Sequence, residues 1–202
     1  MSTRKEIEQF AVMVLAFGDG RNQRMPNGTL LIQHIPSIAP KAFVHSIFPP
    51  LSADAVGNLN DIVGSRLSND YRELLMLMNG AILFSGALSL FGIKFRNITG
   101  IEGAVQQPYD LVVANNHRTF RLKCPDCCII GGYNWDSSRV VASSSKVEIV
   151  RCDNTEYRIQ NRWTNLATFL RSEYTRLSEH FDPLGVQIDD SRPTVPEGQA
   201  IE

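Results

Sequence analysis

Residues 124–128 have the sequence Cys-Pro-Asp-Cys-Cys, and this C-x-x-C spacing suits both tetrahedral zinc and dithiol redox chemistry. A structural zinc ion needs four ligands, and outside this segment the chain offers only Cys152 and, as the nearest histidine, His117. A redox pair belongs at the start of a helix, whereas this segment leads into apolar β-type sequence. We therefore expect reduced, buried or half-buried cysteines, no metal and no cofactor, with Cys124 and Cys127 kept as candidates for zinc or thiol chemistry.

The other residue types that could catalyse a reaction are scattered along the chain. The histidines have no Ser or Cys nucleophile in an activating sequence context, and no G-x-S-x-G elbow exists. Gly131 and Gly132 are not followed by a phosphate-binding helix. The carboxylates of Asp126 and Asp136 could act as an acid–base pair, although solvation or contact with a basic partner is the favoured interpretation. We expect the protein not to be an enzyme. The histidines are His34, His45, His117 and His180.

One stretch combines aromatic and polar side chains beside a glycine turn, namely Tyr133, Asn134, Trp135 and Asp136. Exposed Trp and Tyr are enriched among the residues that carry most of the binding energy in protein interfaces. The sequence therefore predicts a binding surface at residues 133–136. The alternative, that Trp135 packs against a sheet, stays open. Three arginines could flank the same face: Arg139, Arg158 and Arg162.

The most regular element of the chain lies at residues 68–78. Its apolar residues fall at i, i+3, i+4 and i+7, which predicts one buried face of a helix. Ser68 is a good N-cap, and Asn79 with Gly80 ends the helix because both tolerate a left-handed backbone. Two apolar runs around Ser85 and Gly86 then predict short strands in a sheet core. The apolar residues of the helix are Tyr71, Leu74, Leu75 and Met78.

Further elements are predicted on both sides of this helix. Ser52 caps an earlier helix that ends at Gly64. A short helix at 108–115 is followed by strands at 139–142, 147–152 and 157–159. The last helix has Thr164 as its N-cap and ends before Pro183. Its apolar residues keep helical spacing: Trp163, Leu166, Ala167, Leu170, Tyr174, Leu177 and Phe181.

The two ends of the chain differ from its centre. Residues 1–50 predict an amphipathic helix followed by an irregular extension with one or two edge strands. A cleaved signal peptide is the alternative for the first segment, but Glu6 and Glu8 stand where an uncharged run should begin, so we expect a cytoplasmic protein. Residues 188–202 are rich in Pro and acidic residues without periodicity, which predicts a disordered tail.

Composition excludes several classes of protein. The 202 residues include 20 Lys plus Arg and 21 Asp plus Glu, a balance that argues against direct binding of nucleic acid. No run of 18 apolar residues exists, so no membrane span is expected. The hydrophobic share of 43% is ordinary for a globular protein, and a chain of this length can form a core without metal or disulfides.

The order of these motifs resembles the SUKH superfamily. Its members share a helix that ends in Asn-Gly, strands that finish near an aromatic-Gly pair, a later short helix, a strand-turn and a final helix. The resemblance covers about residues 51–185, and Ser68 replaces the proline that is usual there. The matching positions are Leu67, Asp70, Tyr71, Asn79, Gly80, Phe91, Gly92, Asp110, Ile130, Gly131, Gly132, Tyr133, Asn134, Asp136, Trp163, Leu166, Phe169 and Leu170.

The resemblance implies a single α+β domain at residues 51–187, with a mixed or mostly antiparallel β-sheet flanked by helices. It also implies an immunity protein that binds and neutralises a cognate bacterial toxin, such as a nuclease or deaminase, without turnover. Acidic contacts to a basic toxin would then come from Asp126, Asp136 and Glu102. Two alternatives remain: an intracellular regulatory module, as in fungal cell-wall-synthesis regulators of the Smi/Knr type, and a small thiol or zinc enzyme built on residues 124–128.

Overall fold

A computed structural model describes residues 3–64, 66–95 and 106–198 of the chain. The described residues form a single-domain α+β fold, as expected, in which one antiparallel sheet is flanked by helices. The strands are β1 (Gln23–Arg24), β2 (Leu30–His34), β3 (Phe43–Ile47), β4 (Ala81–Leu83), β5 (Leu88–Leu90), β6 (Cys127–Tyr133), β7 (Arg139–Ser143), β8 (Ile149–Cys152) and β9 (Ile159–Trp163). The helices are α1 (Thr3–Leu15), α2 (Ala53–Ile62), α3 (Asn69–Leu77), α4 (Leu111–Ala114), α5 (Arg118–Lys123) and α6 (Leu166–Ser178).

The strands follow one another across the sheet in chain order, and every neighbouring pair is antiparallel. Helix α1 packs against both α3 and α6, and Tyr174 of α6 donates its hydroxyl to the carbonyl of Met13 in α1, at 2.9 Å. Strands β1 to β3 belong to the same sheet as the rest. We expected a helix and an extension with one or two edge strands in residues 1–50; the described part of this segment has the helix α1 and three strands, β1 to β3, which form one end of the sheet.

The predicted caps explain where the helices begin. The hydroxyl of Ser52 accepts a hydrogen bond from the backbone N–H of Ala55, and that of Ser68 accepts one from Tyr71. These bonds satisfy donors that have no partner inside the first helical turn. The short helix after Asp110 begins in the same way, since its carboxylate accepts from two backbone N–H groups.

The last helix differs from its prediction at both ends. Trp163 is the final residue of β9, and the side chain of Asn165, not Thr164, caps α6 by accepting from the N–H of Thr168 at 2.8 Å. Phe181 lies beyond the end of α6. Trp163 still packs against α6, because its ring lies edge-on to that of Phe169, with centroids 4.9 Å apart.

The motif at the end of α3 ties the helix to the sheet. Asn79 accepts a hydrogen bond from the N–H of Ile93 and donates one to the carbonyl of the same residue, at 2.7 and 2.9 Å. Gly80 has φ of +80°, and a Cβ there would lie 2.4 Å from the carbonyl oxygen of Leu90. Gly92 is in an equally close contact, since a Cβ on this residue would lie 2.2 Å from the main-chain oxygen of Asn79. The Asn-Gly and Phe-Gly pairs are therefore two halves of one close backbone contact.

The C-terminal segment is held more firmly than its composition predicts. We expected disorder from residue 188, but the described residues 188–198 lie against the rest of the fold. Thr194 and Pro196 are buried, and three main-chain carbonyls of the segment accept hydrogen bonds from side chains of β8, β9 and α6. Main-chain carbonyls are present in every residue, so such anchoring leaves no hydrophobic pattern in the sequence.

Candidate functional site

The predicted binding residues at 133–136 form the end of β6 and the turn that follows it. Asn134 and Trp135 point outward, and 47% of the Trp135 surface is exposed, so Trp135 does not simply pack against the sheet. Tyr133 does the opposite: it is buried, and its hydroxyl donates to a carboxylate oxygen of Glu173 in α6 at 2.7 Å. Tyr133 therefore supports the turn from inside and offers no surface to a partner.

Asp136 fixes the shape of this turn. One carboxylate oxygen accepts a hydrogen bond from the N–H of Ser138, and the other forms an ion pair of 2.8 Å with the buried guanidinium of Arg151. Partial burial alone would raise the pKa of the Asp136 carboxyl. The hydrogen bonds from Ser138 and Arg151 outweigh that effect and hold the pKa below its ordinary value. Asp136 is therefore charged at neutral pH and is engaged within the chain.

The strand register places two small residues, Ser89 and Gly132, side by side in one row of the sheet beside this turn. Ile82 pairs with Ser89, Ser89 with Gly132, and Gly132 with Arg139. Side chains alternate between the two faces of a sheet, and the neighbouring row contains buried Leu90. The row through Ser89 and Gly132 therefore lies on the face opposite to Leu90, where both residues are buried and the ring of Phe91 lies close to Gly132.

Aromatic and cationic side chains border Ser89 and Gly132. Two adjoining depressions of about 200 and 680 Å³ share Phe91, Tyr109 and Arg139 as lining residues, and Asn134 lines the smaller one. Tyr109 is 58% exposed, and its ring lies 5.8 Å from that of Phe91. Trp135 lines neither depression, but it is exposed and directly follows Asn134 in the turn. We call Phe91, Tyr109, Asn134 and Arg139, together with this neighbouring Trp135, the aromatic surface.

The aromatic surface was only partly predictable. The sequence placed Tyr109 inside a helix, but α4 begins at Leu111, so Tyr109 precedes the cap residue Asp110 and projects from the loop before it. Arg139 was expected to flank residues 133–136, and it does line the same depression as Asn134. Its Nε donates to Asn154 at 2.7 Å, which orients the guanidinium.

The predicted acidic residues do not gather in one place. Asp126 is exposed immediately before β6, whereas Asp136 follows the far end of that strand, and seven residues of extended chain span roughly 23 Å. Glu102 lies outside the described residues. The larger depression is lined instead by the cations Lys94 and Arg139 together with Asp110, whose carboxylate is used as a helix cap.

The Cys-Pro-Asp-Cys-Cys segment differs from the expectation of reduced cysteines. Cys124 and Cys127 form a disulfide whose Cα atoms lie 5.3 Å apart, so neither sulfur is available as a metal ligand. Cys128 and Cys152 are free and buried, and burial raises the pKa of each thiol to about 12. Residues 3–64, 66–95 and 106–198 contain no cluster of three or more His, Cys, Asp or Glu side chains that could hold a metal ion.

Comparisons of the chain with protein-family models, with curated proteins and with solved structures found no match. The resemblance to the SUKH superfamily therefore stays a prediction from the residues quoted above. Among the described residues, no helix is both long enough and apolar enough to cross a membrane.

Proposed function

We propose that this chain is a binding protein of the immunity type, which neutralises a cognate bacterial toxin in the cytoplasm by forming a stoichiometric complex. The observation that carries the proposal is the aromatic surface, where Trp135 and Tyr109 expose large rings on a rigid support. Rings of this kind add contact area at little entropic cost when their backbone is already ordered. The SUKH resemblance supplies the class of partner, and the surface supplies a place for it.

The support beneath the two rings is already in its final shape. The ion pair between Asp136 and Arg151 fixes the turn that bears Trp135. Tyr109 is fixed between the bridge that joins Gly92 to Asp110 and the ring of Phe91. A partner would therefore dock without first ordering the chain, and affinity would not be reduced by that cost.

The charges of this surface favour an acidic patch on the partner, whereas the predicted acidic residues suggested a basic one. Lys94 and Arg139 line the larger depression, and the carboxylate of Asp110 is turned toward helix N–H groups. Because opposite potentials meet in stable interfaces, an acidic patch on the toxin would complement this region. Such a patch, placed around the toxin active site or on a neighbouring surface, would leave the toxin bound but inactive.

The test begins with identification of the partner. A tagged form of the chain is purified from its source cell, each co-purifying protein is identified, and each is then expressed alone and together with the chain. We expect one partner to be toxic alone and harmless in co-expression. A partner that binds but is never toxic would instead favour the regulatory alternative, and growth inhibition that persists in co-expression would contradict the immunity proposal.

The aromatic surface itself is tested by replacing its two exposed rings and, as a control, a large exposed apolar side chain elsewhere. The double variant Trp135→Ala, Tyr109→Ala should weaken binding of the toxin by about 30-fold or more, which corresponds to about 2 kcal/mol, the usual threshold for a dominant interface residue. Leu122→Ala is the control, because Leu122 is 74% exposed on α5 and lies outside the aromatic surface. Equal affinity of the double variant and the control, measured by calorimetry, would rule out this surface.

A further inference from the structure

Residues 194–197, which we call the strap, occupy a binding site for main-chain carbonyls. Three of the four strap residues accept a hydrogen bond through their carbonyl oxygens, and all three donors are side chains. The bonds run from Arg176 to Thr194 at 2.8 Å, from Arg151 to Pro196 at 2.6 Å and from Asn161 to Glu197 at 2.7 Å. Arg151 and Asn161 are each 4% exposed, so these donors are buried while the strap is in place.

Arg151 serves the strap and the turn after β6 with one guanidinium group. Its Nη2 donates to the carboxylate of Asp136 at 2.8 Å, and its Nε donates to the hydroxyl of Ser138 at 2.9 Å. Its Nη1 donates both to the strap carbonyl of Pro196 and to the amide oxygen of Asn161. A guanidinium is planar and its donors keep a fixed geometry, so it cannot shift toward one set of partners without straining the bonds to the other.

A second connection runs through α6. The hydroxyl of Tyr133 and the guanidinium of Arg176 both donate to the same carboxylate oxygen of Glu173, at 2.7 and 2.6 Å. The same Nη2 of Arg176 also donates to the strap carbonyl of Thr194. Glu173 is only 2% exposed, so removal of either donor would leave buried charge less well satisfied.

We propose that the site formed by Arg151, Asn161 and Arg176 is a main-chain-binding site that holds this chain's own strap and couples it to the turn at residues 133–138. Loosening of the turn then loosens the strap. By linkage, release of the strap also loosens the turn, because a coupling free energy acts equally in both directions. This coupling belongs to the chain alone and does not depend on the proposed toxin.

The coupling is tested by proteolysis after Glu197 with a glutamate-specific protease, with release of residues 198–202 followed by mass spectrometry. The scissile carbonyl is the one that Asn161 binds, so cleavage requires release of the strap. Asp136→Asn weakens the ion pair with Arg151 and changes no residue of the strap. It should speed this cleavage by about tenfold, because one charge-assisted hydrogen bond is lost. Asp126→Asn, the same change before the other end of β6, should leave the rate unchanged.

Cleavage after Glu173 serves as an internal reference, because this residue is buried inside α6 and can be cut only when that helix unfolds. Faster release of 198–202 with Glu173 uncut supports a separate strap. Equal rates for Asp136→Asn and Asp126→Asn would overturn the coupling. Parallel acceleration at Glu173 and Glu197 would also overturn it, since the strap would then open only when the whole fold does.

The reverse direction is measured through Trp135 in a Trp163→Phe background, where Trp135 is the remaining tryptophan. Pro196→Gly loosens the strap by restoring backbone freedom, and the turn is not altered. We expect acrylamide to quench Trp135 fluorescence more efficiently in Pro196→Gly than in the parent. An unchanged quenching constant, with the strap shown to be loose by cleavage after Glu197, would contradict the proposal.

Discussion

Acid should weaken this fold through one buried histidine. His45 in β3 has no exposed surface, and its Nδ1 accepts a hydrogen bond from the backbone N–H of Phe84 at 3.1 Å. Its Nε2 has no hydrogen-bond partner among the residues that the structure describes, and the ring is surrounded by Phe17, Phe84 and Tyr174 with centroids 4.6 to 6.0 Å away. Since Nδ1 is an acceptor, the neutral ring carries its proton on Nε2.

Protonation of His45 would place a charge among aromatic rings and convert the Nδ1 acceptor into a donor that faces another N–H. Burial lowers the pKa of His45 from 6.5 to about 3 for this reason. The unfolded chain, with its pKa near 6.5, therefore binds more protons than the folded chain between these two values. Stability is fully present above about pH 6.5 and is lost progressively as the pH falls toward 3.

The size of the loss follows from linkage. At pH 5 the unfolded state gains about 2 kcal/mol relative to pH 7.5, and by pH 4 the difference reaches about 3 kcal/mol. His180 is also buried, and its pKa is lowered, first by burial and then by Arg192 and Arg176, so it adds a contribution of the same sign. Carboxylates with lowered pKa, such as Asp136, act below about pH 4 and stay out of this window.

The measurement is urea unfolding, followed by far-ultraviolet circular dichroism, at about pH 7.5, 6 and 5. The wild type should lose about 2 kcal/mol across this range, whereas His45→Asn should lose much less, because an amide can accept from Phe84 but does not titrate. His34→Asn, the same change at the last residue of β2, is the control for loss of a histidine. A wild-type loss below about 0.5 kcal/mol, or equal slopes for wild type and His45→Asn, would refute the argument.

Three further predictions concern the supports of the fold. Gly80→Ala should lower the free energy of unfolding, measured in urea, by more than about 3 kcal/mol, because the new Cβ would lie 2.4 Å from a carbonyl oxygen. Gly20→Ala is the control: Gly20 has φ of +82° but open space around it, so this change should cost only about 1 kcal/mol. Tyr71→Phe should cost about 1 to 3 kcal/mol in the same assay at unchanged m-value, since the hydroxyl lies 2.6 Å from the buried carbonyl of Phe91. The carboxyl carbon of Asp153 should titrate in NMR with a pKa of about 2, because burial alone would raise this pKa but the hydrogen bonds from the backbone N–H groups of Glu156, Arg158 and Thr155 together outweigh it; a pKa near 4 would contradict this.

Local signals in the sequence predicted local structure well. Ser52 and Ser68 were expected as caps and act as caps, because a hydroxyl that bonds its own first turn depends on residues only three positions away. The helix at Trp163 was misplaced because residues buried on the same side of a strand end and of the following helix can imitate helical spacing. The side chain of Asn165, which bonds the first turn of α6, decided the true start.

Features that depend on distant contacts left no such signal. The burial of His45 results from Phe17 and Tyr174, which precede and follow it by many residues, so no local pattern separates this histidine from the other three. The C-x-x-C spacing is compatible with free thiols, a metal site or a disulfide. Only the turn geometry that brings Cys124 and Cys127 together distinguishes the disulfide from the other two.

The candidate site was predictable to the extent that it is contiguous in sequence. Asn134 and Trp135 were found because they are neighbours in sequence, whereas Phe91 and Tyr109 meet Asn134 in one depression only in the folded chain. Ser89 and Gly132, which line the same depression, show no pattern in any single strand, since β5 and β6 contribute one residue each. A binding surface that depends on strand register can be recognised only after the register is known. The sequence therefore predicted Asn134 and Trp135, and the structure adds the residues from other elements that lie next to Asn134.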